Sequence, residues 1–516
     1  MKSLLPNWLL LLLLWGAQQG LSQINTNYGD AGISQFSVGP ASDVALCGAL
    51  QPDGKLVVAG YTDNGNDLDL FVARLLVDGQ LDLSFGNQGL FSYDFNGEDD
   101  YVKGLTVGPN GHIYFAATTS VGGQKDPLIG RLTTYGSFDT SFGASGVVWF
   151  NPSTENEEVE ALAIAADESL FLCGQTKVGD ARNGFVLKTL ANGSYDPNFG
   201  SNGFLELNYP GDDRLEDIVL GNDGNLFLAG TREGYGEMVV VKLNSQGLLD
   251  GTFGQSGFAT YSDPLGVPIG NRLVLRPSGE IVLAGAISYF DYNQWAVVQF
   301  LADGSLDPNF GEQGLVSVGA PGQWTFINGL ELLSDESILL GGNTTTNSET
   351  QAFWSRIDVS GNLDLSLGTG GFVSYADVSQ EALVNGIAYS EQEGLYLFGA
   401  TGQTNPGQTY QVTAWNYLPV PVTRTEHLLV NPDVGRVYPN PCEDGVLYLE
   451  DIPASGANFY YQWMDGLGRS IGGLQLLEGT SEAQLIQLPG IFKPGWYTLL
   501  LYQNNQVYGQ HRILIP

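Results

Sequence analysis

The phrase Leu81-Asp82-Leu83-Ser84-Phe85-Gly86 recurs as Phe138-Asp139-Thr140-Ser141-Phe142-Gly143 and as Tyr195-Asp196-Pro197-Asn198-Phe199-Gly200. Further copies run from Leu249 to Gly254, Leu306 to Gly311 and Leu363 to Gly368, and a degenerate one spans Ile24 to Gly29. The closing glycines stand at 29, 86, 143, 200, 254, 311 and 368, so successive intervals are 57, 57, 57, 54, 57 and 57 residues. A period of that length means that one supersecondary unit is repeated, with neighbouring units completing one another's cores.

Each unit reads as four strands. The first comes directly after the glycine phrase, as in Gly89 to Phe95. The second and third, Val44 to Gln51 and Lys55 to Tyr61, form a hairpin across Pro52-Asp53-Gly54. Asn110-Gly111, Asp223-Gly224 and Ser278-Gly279 fill the same turn elsewhere, where glycine or asparagine supplies the positive φ of a short connection. The fourth strand is typified by Leu70 to Val77. No segment of the mature chain has a convincing helical period. The third strands are apolar without alternation, as in Leu56-Val57-Val58-Ala59-Gly60 and Ile281-Val282-Leu283-Ala284-Gly285. A strand of that kind is buried on both faces. Blades stacked around an axis create this environment, and a parallel β-helix, with shorter coils and no hairpin turns, does not. The expectation is an all-β chain: a seven-bladed β-propeller of four-stranded antiparallel blades over residues 24–420. The seventh unit, Gly371 to about Tyr417, lacks a terminal glycine phrase, so Ile24 to Gly29 is expected to fill that slot and close the ring.

The phrases Leu-Asp-x-Ser-Phe-Gly and Gln51-Pro52-Asp53-Gly54-Lys55-Leu56-Val57-Val58-Ala59-Gly60 resemble the delta-60 repeat of exported bacterial proteins. The resemblance implies a propeller-like fold and no general activity.

At the N-terminus, Lys2 precedes an apolar run from Trp8 to Trp15 and the small or polar exit Gly20-Leu21-Ser22-Gln23. Residues 1–22 therefore read as a secretory signal peptide, since a membrane span needs about 20 apolar residues. No later stretch is long and apolar enough to cross a bilayer, so no transmembrane segment is expected after its removal. Residues 421–436 read as a polar linker. Short alternating strands over 437–516 predict a small, Ig-like β-sandwich. Its ordered motifs are Tyr438-Pro439-Asn440-Pro441, Gly445 before an apolar strand, and Gly495-Trp496-Tyr497. They resemble the type A C-terminal sorting domain of the Bacteroidetes type IX secretion system. That resemblance implies secretion machinery as a partner and an extracellular or outer-membrane-surface location. The family often ends in basic residues, whereas here Arg512 precedes Ile513-Leu514-Ile515-Pro516.

With 56 acidic and 20 basic residues the net charge is −36, which repels phosphate backbones and excludes a nucleic-acid partner. Three cysteines, Cys47, Cys173 and Cys442, give no disulfide framework. Histidine is confined to His112, His427 and His511, so a Ser-His-Asp or histidine-rich metal site has no material in the repeats. No catalytic residue stands out. Acidic pairs, Glu98-Asp99-Asp100, Glu157-Glu158 and Asp212-Asp213, recur at one repeat position and read as structural. Asp63, Asp67 and Asp69 have the alternating oxygens of a calcium loop without a distal bidentate glutamate, and calcium is the one cofactor any segment suggests.

A basic column, Arg74, Arg131, Lys188, Lys242, Gln299 and Arg356, lies eight residues before Asp82, Asp139, Asp196, Asp250, Asp307 and Asp364, with Thr413 at the seventh place. The spacing predicts charge-assisted contacts of about 2.7–3.2 Å, bidentate for Arg74–Asp82, Arg131–Asp139 and Arg356–Asp364 where geometry permits. Loops on the face opposite the Asp-Gly turns vary most among units. There Tyr289, Phe290 and Tyr292 of the fifth unit can lie beside Trp324 and Phe326 of the sixth and stack on sugar rings. The reading is a secreted or surface-displayed binding or adhesion module for an extracellular glycan or protein. The alternatives are a polysaccharide hydrolase or lyase using loop carboxylates, and a structural surface protein without a specific ligand.

Overall fold

The computed structural model describes residues 24–419, apart from 152, 180, 209–211, 233, 235, 320–321, 347–348, 376–379 and 404–408, and the backbone of seven strands between 436 and 515. The leader, residues 1–22, and Pro439, Asn440, Pro441 and Gly445 lie outside the described residues. The chain divides into two compact units, Met1–Val422 and Thr423–Pro516. Every regular element described is a strand.

Among the described residues of the first unit, the strands form seven antiparallel groups of four. Asp43–Leu50, Leu56–Asp63, Leu68–Leu75 and Leu90–Tyr93 make the first sheet, and the pattern repeats along the chain. The fifth and sixth groups are joined at a single parallel pairing, Asn293 with Trp324. This is a β-propeller arrangement.

The phase of the sheets differs from the unit read in the sequence. The strand after each glycine phrase pairs with the strand before it: Leu90 lies opposite Ala73 and Tyr93 opposite Leu70. The phrase doubles the chain back, with the Asp82 N–H donating to the Arg74 carbonyl at 2.9 Å. The next strand must therefore run antiparallel to the one just left. Gly86 sits at φ 53°, where a Cβ would meet the Leu90 carbonyl oxygen at 2.2 Å, so only glycine makes this reversal.

By the same phase, Phe372–Tyr375 belongs to the sixth sheet, pairing with Glu349–Ile357. The seventh sheet, Gln380–Ser390, Gly394–Gln403 and Tyr410–Tyr417, takes its fourth strand from the start of the repeat region. Ile33–Phe36 pairs antiparallel with it, Ile33 opposite Trp415. Ile24 bridges Tyr417, and the Asn25 N–H donates to the Asn416 carbonyl at 2.8 Å.

Among the described residues of the first unit the core is divided into seven clusters, each shared by two neighbouring sheets. Val57 and Ala59 pack with Val102 and Phe115 of the second sheet, while Leu56 and Val58 of the same strand pack with Tyr396 and Phe398 of the seventh. That is why these strands are apolar at every position. The phrase aromatics, Tyr28, Phe85, Phe142, Phe199, Phe253 and Phe310, with Leu367 in the last copy, are all buried in these clusters. Burying one such ring contributes on the order of 1.5–3 kcal/mol. The phrase glycine then ties the next sheet: Gly86 N–H to the Tyr135 carbonyl at 2.7 Å, and Gly254 N–H to the Asp303 carbonyl at 2.7 Å.

In the second unit, strands Arg436–Tyr438, Val446–Glu450 and Gln484–Gln487 form one antiparallel sheet. Phe459–Met464, Ser470–Leu476, Gly495–Gln503 and Gln506–Ile515 form a second. Tyr438, Gly495 and Tyr497 stand on these strands.

Candidate functional site

The basic column and its acids meet in every sheet that carries them. Arg74 Nε lies 2.9 Å from Asp82 Oδ2, and Arg131 Nη2 2.9 Å from Asp139 Oδ2. Lys188–Asp196 and Lys242–Asp250 close to 2.8 and 3.0 Å, Gln299 Nε2 donates to Asp307 at 2.8 Å, and Arg356 Nε to Asp364 at 2.9 Å. Aromatic faces lie near these cations, with the Arg74 guanidinium 4.6 Å from the Phe85 ring and that of Arg131 4.8 Å from Phe142. The second carboxylate oxygen folds the turn, accepting from the Ser84 hydroxyl at 2.6 Å and amide at 3.0 Å. Burial works to raise the Asp82 carboxyl, but the Ser84 bonds, Arg74 and Lys55 outweigh it and hold it at about 2.

Two departures come from repeat divergence. In the fifth sheet Arg276, on the hairpin turn, donates to Gln299 Oε1 at 2.9 Å, whereas in the first Arg74 Nη1 stands 3.5 Å from Gln51 Oε1 on that turn. Cation and amide have exchanged strands at an unchanged separation of 23 residues. In the seventh sheet the column position belongs to Asn416 and not to Thr413. Leu395 and its partner Tyr417 are 22 residues apart, where Ile338 and Ile357 are 19 apart, so counting by the period lands three residues early. Asn416 Oδ1 accepts from Asn25 Nδ2 at 2.8 Å, and the Thr413 hydroxyl meets Thr401 at 2.8 Å.

The acids at the loop bases, Asp43 and members of the acidic doublets, staple loops to strands. Asp43 Oδ1 accepts from the Thr62 hydroxyl at 2.5 Å and Glu157 from Thr176 at 3.0 Å, while Asp100 accepts the Phe95 N–H at 2.5 Å. Burial pushes Asp100 up to about 7. In the Asp63–Asp69 loop, Asp63 accepts the Gly65 N–H at 2.8 Å, and Asp67 and Asp69 both accept from the Asn64 amide, Asp69 at 3.1 Å.

A ring of bulged residues at the inner strands, all polar but one, escaped the sequence reading. Each inner strand bulges at one residue: Leu46, Lys103, Glu160, Glu216, Asn271, Asn328 and Asn385. The bulge is possible opposite Gly60 because a Cβ there would lie 2.0 Å from the Val44 carbonyl oxygen. Lys103 Nζ holds both Glu160 oxygens at 2.6 Å. The amides of Asn271, Asn328 and Asn385 donate to the carbonyls of Ile327, Val384 and Ala45 at 3.0, 2.8 and 2.8 Å, each on the following sheet. Lys103, Glu160, Asp217, Arg272, Asn328 and Asn385 line a cavity of about 210 Å³. Burial pushes Glu160 up to about 7, with Lys103 offsetting only part of the rise. The signal was present: Leu46, Lys103 and Glu160, and separately the three asparagines, recur at 57 residues. The change of residue type along the series concealed it.

At the ends of the fifth and sixth sheets the expected aromatics come together. The Tyr289 N–H donates to the Tyr292 carbonyl at 2.9 Å, which makes a hairpin turn with Phe290 at its tip, fully exposed. The Tyr289 and Tyr292 rings stack at 4.7 Å and 18°. Next to this hairpin, Asn293 pairs with Trp324, and the Thr325 hydroxyl donates to the Asn293 carbonyl at 3.0 Å. Trp324 is 40% exposed and Phe326, two residues on along the same strand face, is half-buried. Leu265, 86% exposed, completes the patch from the loop whose Gly266 abuts Tyr289.

These features define a propeller-type repeat protein. Residues 51–85, 108–142 and 276–310 match the family described as "Domain of unknown function (DUF5122) beta-propeller"; each segment runs from the hairpin turn to the phrase aromatic. No curated protein matches the chain. Similar solved structures include Sqt1 from Chaetomium thermophilum, 12% identical over 75% of this chain and 99% of that one, with a TM-score of 0.39. The polysaccharide lyase Uly1 is 14% identical over 75% of this chain and 90% of its own, TM-score 0.33. Oligopeptidase B from Leishmania major is 12% identical over 73% and 46%, TM-score 0.36. None of these likenesses bears on activity.

The clasp makes a definite prediction. The carboxyl of Asp82 is depressed in the fold, so its contribution is present above about pH 4 and fades as pH falls towards 2. Asp82→Ala, which strands the buried Arg74, should cost roughly 1–3 kcal/mol by urea unfolding at pH 7. The deficit should shrink near pH 2–3. Equal stability of variant and parent at pH 7 would show that water replaces the carboxylate.

Proposed function

We propose that the chain is a closed seven-bladed propeller, followed by a small Ig-like sandwich, and that it works outside the cell as a binding or adhesion module for glycans. The observation that carries this reading is the exposed aromatic patch of Phe290, Trp324 and the Tyr289–Tyr292 stack. Rings held by backbone hairpins offer flat apolar faces at little entropic cost, and the C–H faces of sugars are their natural complement. The loops that carry them vary from repeat to repeat while the clasped ends do not, which suits specificity placed on a fixed scaffold. A carboxylate enzyme has less support. The acids at the loop bases staple threonines and amides, and Glu160 is held by Lys103. On a glycan array, the protein should bind a defined set of oligosaccharides, and Phe290→Ala and Trp324→Ala should each weaken binding at least about tenfold. Undiminished binding by both variants would move the site elsewhere.

The same proposal includes the route of export. The leader at residues 1–22 and the Tyr438 to Tyr497 motifs support passage through the type IX machinery, with release or retention at the outer surface. Deleting residues from Val437 onward should leave the protein in the periplasm. Unchanged levels at the surface or in the medium would reject the sorting assignment.

A further inference from the structure

We infer that the ligand of the aromatic face is an uncharged, hydroxyl-rich glycan and not a uronate or sulfated polysaccharide. The inference rests on the binding reading above and adds the chemical class. Between Arg276 and Arg424 the sequence holds a single basic residue, Arg356. That residue is bound to Asp364 beside the glycine phrase, at the end of the sheet opposite the aromatic hairpin. Arg276 likewise sits on the hairpin turn and donates to Gln299. Arg272, on the first strand of the fifth sheet, lies at the inner bulge and donates to the Glu216 and Asn271 carbonyls, so the described residues of the fifth and sixth sheets bring no cation to their aromatic ends.

The rings are flanked instead by acid and amide. Asp291 is exposed beside Phe290 at the hairpin tip. Asp263 holds the neighbouring loop, accepting the Leu265 and Gly266 N–H groups at 2.8 Å each. The Gln294 and Gln323 side chains are half-buried next to Asn293 and Trp324. Carboxylates and amides of this kind accept and donate hydrogen bonds to sugar hydroxyls. An anionic sugar would bring like charge to a chain of net charge −36 with nothing at the site to pair it. At the corresponding ends of the other sheets, Lys125 is matched with Glu158 at 2.7 Å, Arg182 with Asp212 at 3.3 Å and Arg232 with Glu237 at 3.5 Å, while Lys177 stands exposed on the third sheet, two sheets before the aromatic hairpin.

The test sets neutral hexasaccharides of β-glucan, mannan and xylan against acidic ones of alginate, polygalacturonate and chondroitin sulfate. Binding of the full chain is measured by titration calorimetry at low and at physiological salt. Neutral ligands should bind, with little dependence on salt, and lose at least about tenfold in Phe290→Ala and Trp324→Ala, while acidic ligands bind at least tenfold more weakly. Acidic ligands bound as tightly as neutral ones, with both variants impaired, would overturn the charge inference and leave the aromatic site standing. Binding of neither class, or binding untouched by both substitutions, would overturn the glycan reading itself.

Discussion

Each glycine phrase drives an apolar side chain between two sheets and anchors it there, and the whole propeller depends on that insertion. Phe85 fills the seam between the first and second sheets, Phe142 and Phe199 the next two, and Tyr28 the seam between the seventh sheet and the first. A four-stranded sheet of this size has no core of its own, so each seam is where the hydrophobic stabilisation resides. The hydrogen bonds around the phrase orient the insertion. The aspartate folds the turn and holds the cation, the cation lies against the ring, and the glycine N–H reaches the next sheet.

Two further circles reinforce the same seams. Along the inner strands, the bulge asparagines donate to the carbonyls of the following sheet, and the last of these bonds, from Asn385 to Ala45, joins the seventh sheet to the first. Where the series carries Lys103 and Glu160, an ion pair replaces the amide contact. At the loop bases, Asp43 and Glu157 tie threonine hydroxyls of the second strand. With the frame secured at these positions, the ends of the hairpins are free to differ. The fifth and sixth sheets have used that freedom to expose aromatic rings. The seventh sheet departs most, because its closing phrase comes from residues 24–29. There a pair of neutral amides, Asn25 and Asn416, stands in place of the cation and aspartate.

Much of this was legible in the sequence for a physical reason: a constraint repeated seven times leaves a repeated trace. The turn glycines, the phrase, the doubly buried strand and the eight-residue step from cation to acid all recur in register. The features that were not legible fall into three kinds. The sheet boundary is one, since spacing alone does not say which neighbour Leu90–Tyr93 pairs with. The period points to Thr413 where Asn416 stands, because a three-residue extension between Leu395 and Tyr417 breaks the count. The inner ring was missed because its shared property is a backbone bulge that leucine, lysine, glutamate and asparagine all occupy. Loop variability points to the aromatics of the fifth and sixth units, but the pairing of Asn293 with Trp324 is visible only in three dimensions.

Closure of the ring by the N-terminal segment is the central claim, since every other sheet has a covalent neighbour to complete it. Removing residues 24–36 leaves Tyr410–Tyr417 as an open edge and takes Tyr28 from the last seam. Thermal unfolding, combined with light scattering of the full chain lacking only that segment, tests it. A closed ring predicts a lowered and broadened transition and self-association through the exposed edge, both reversed by a peptide of residues 24–36 added in trans. A monomer with the parent's melting temperature and a single sharp transition would contradict it.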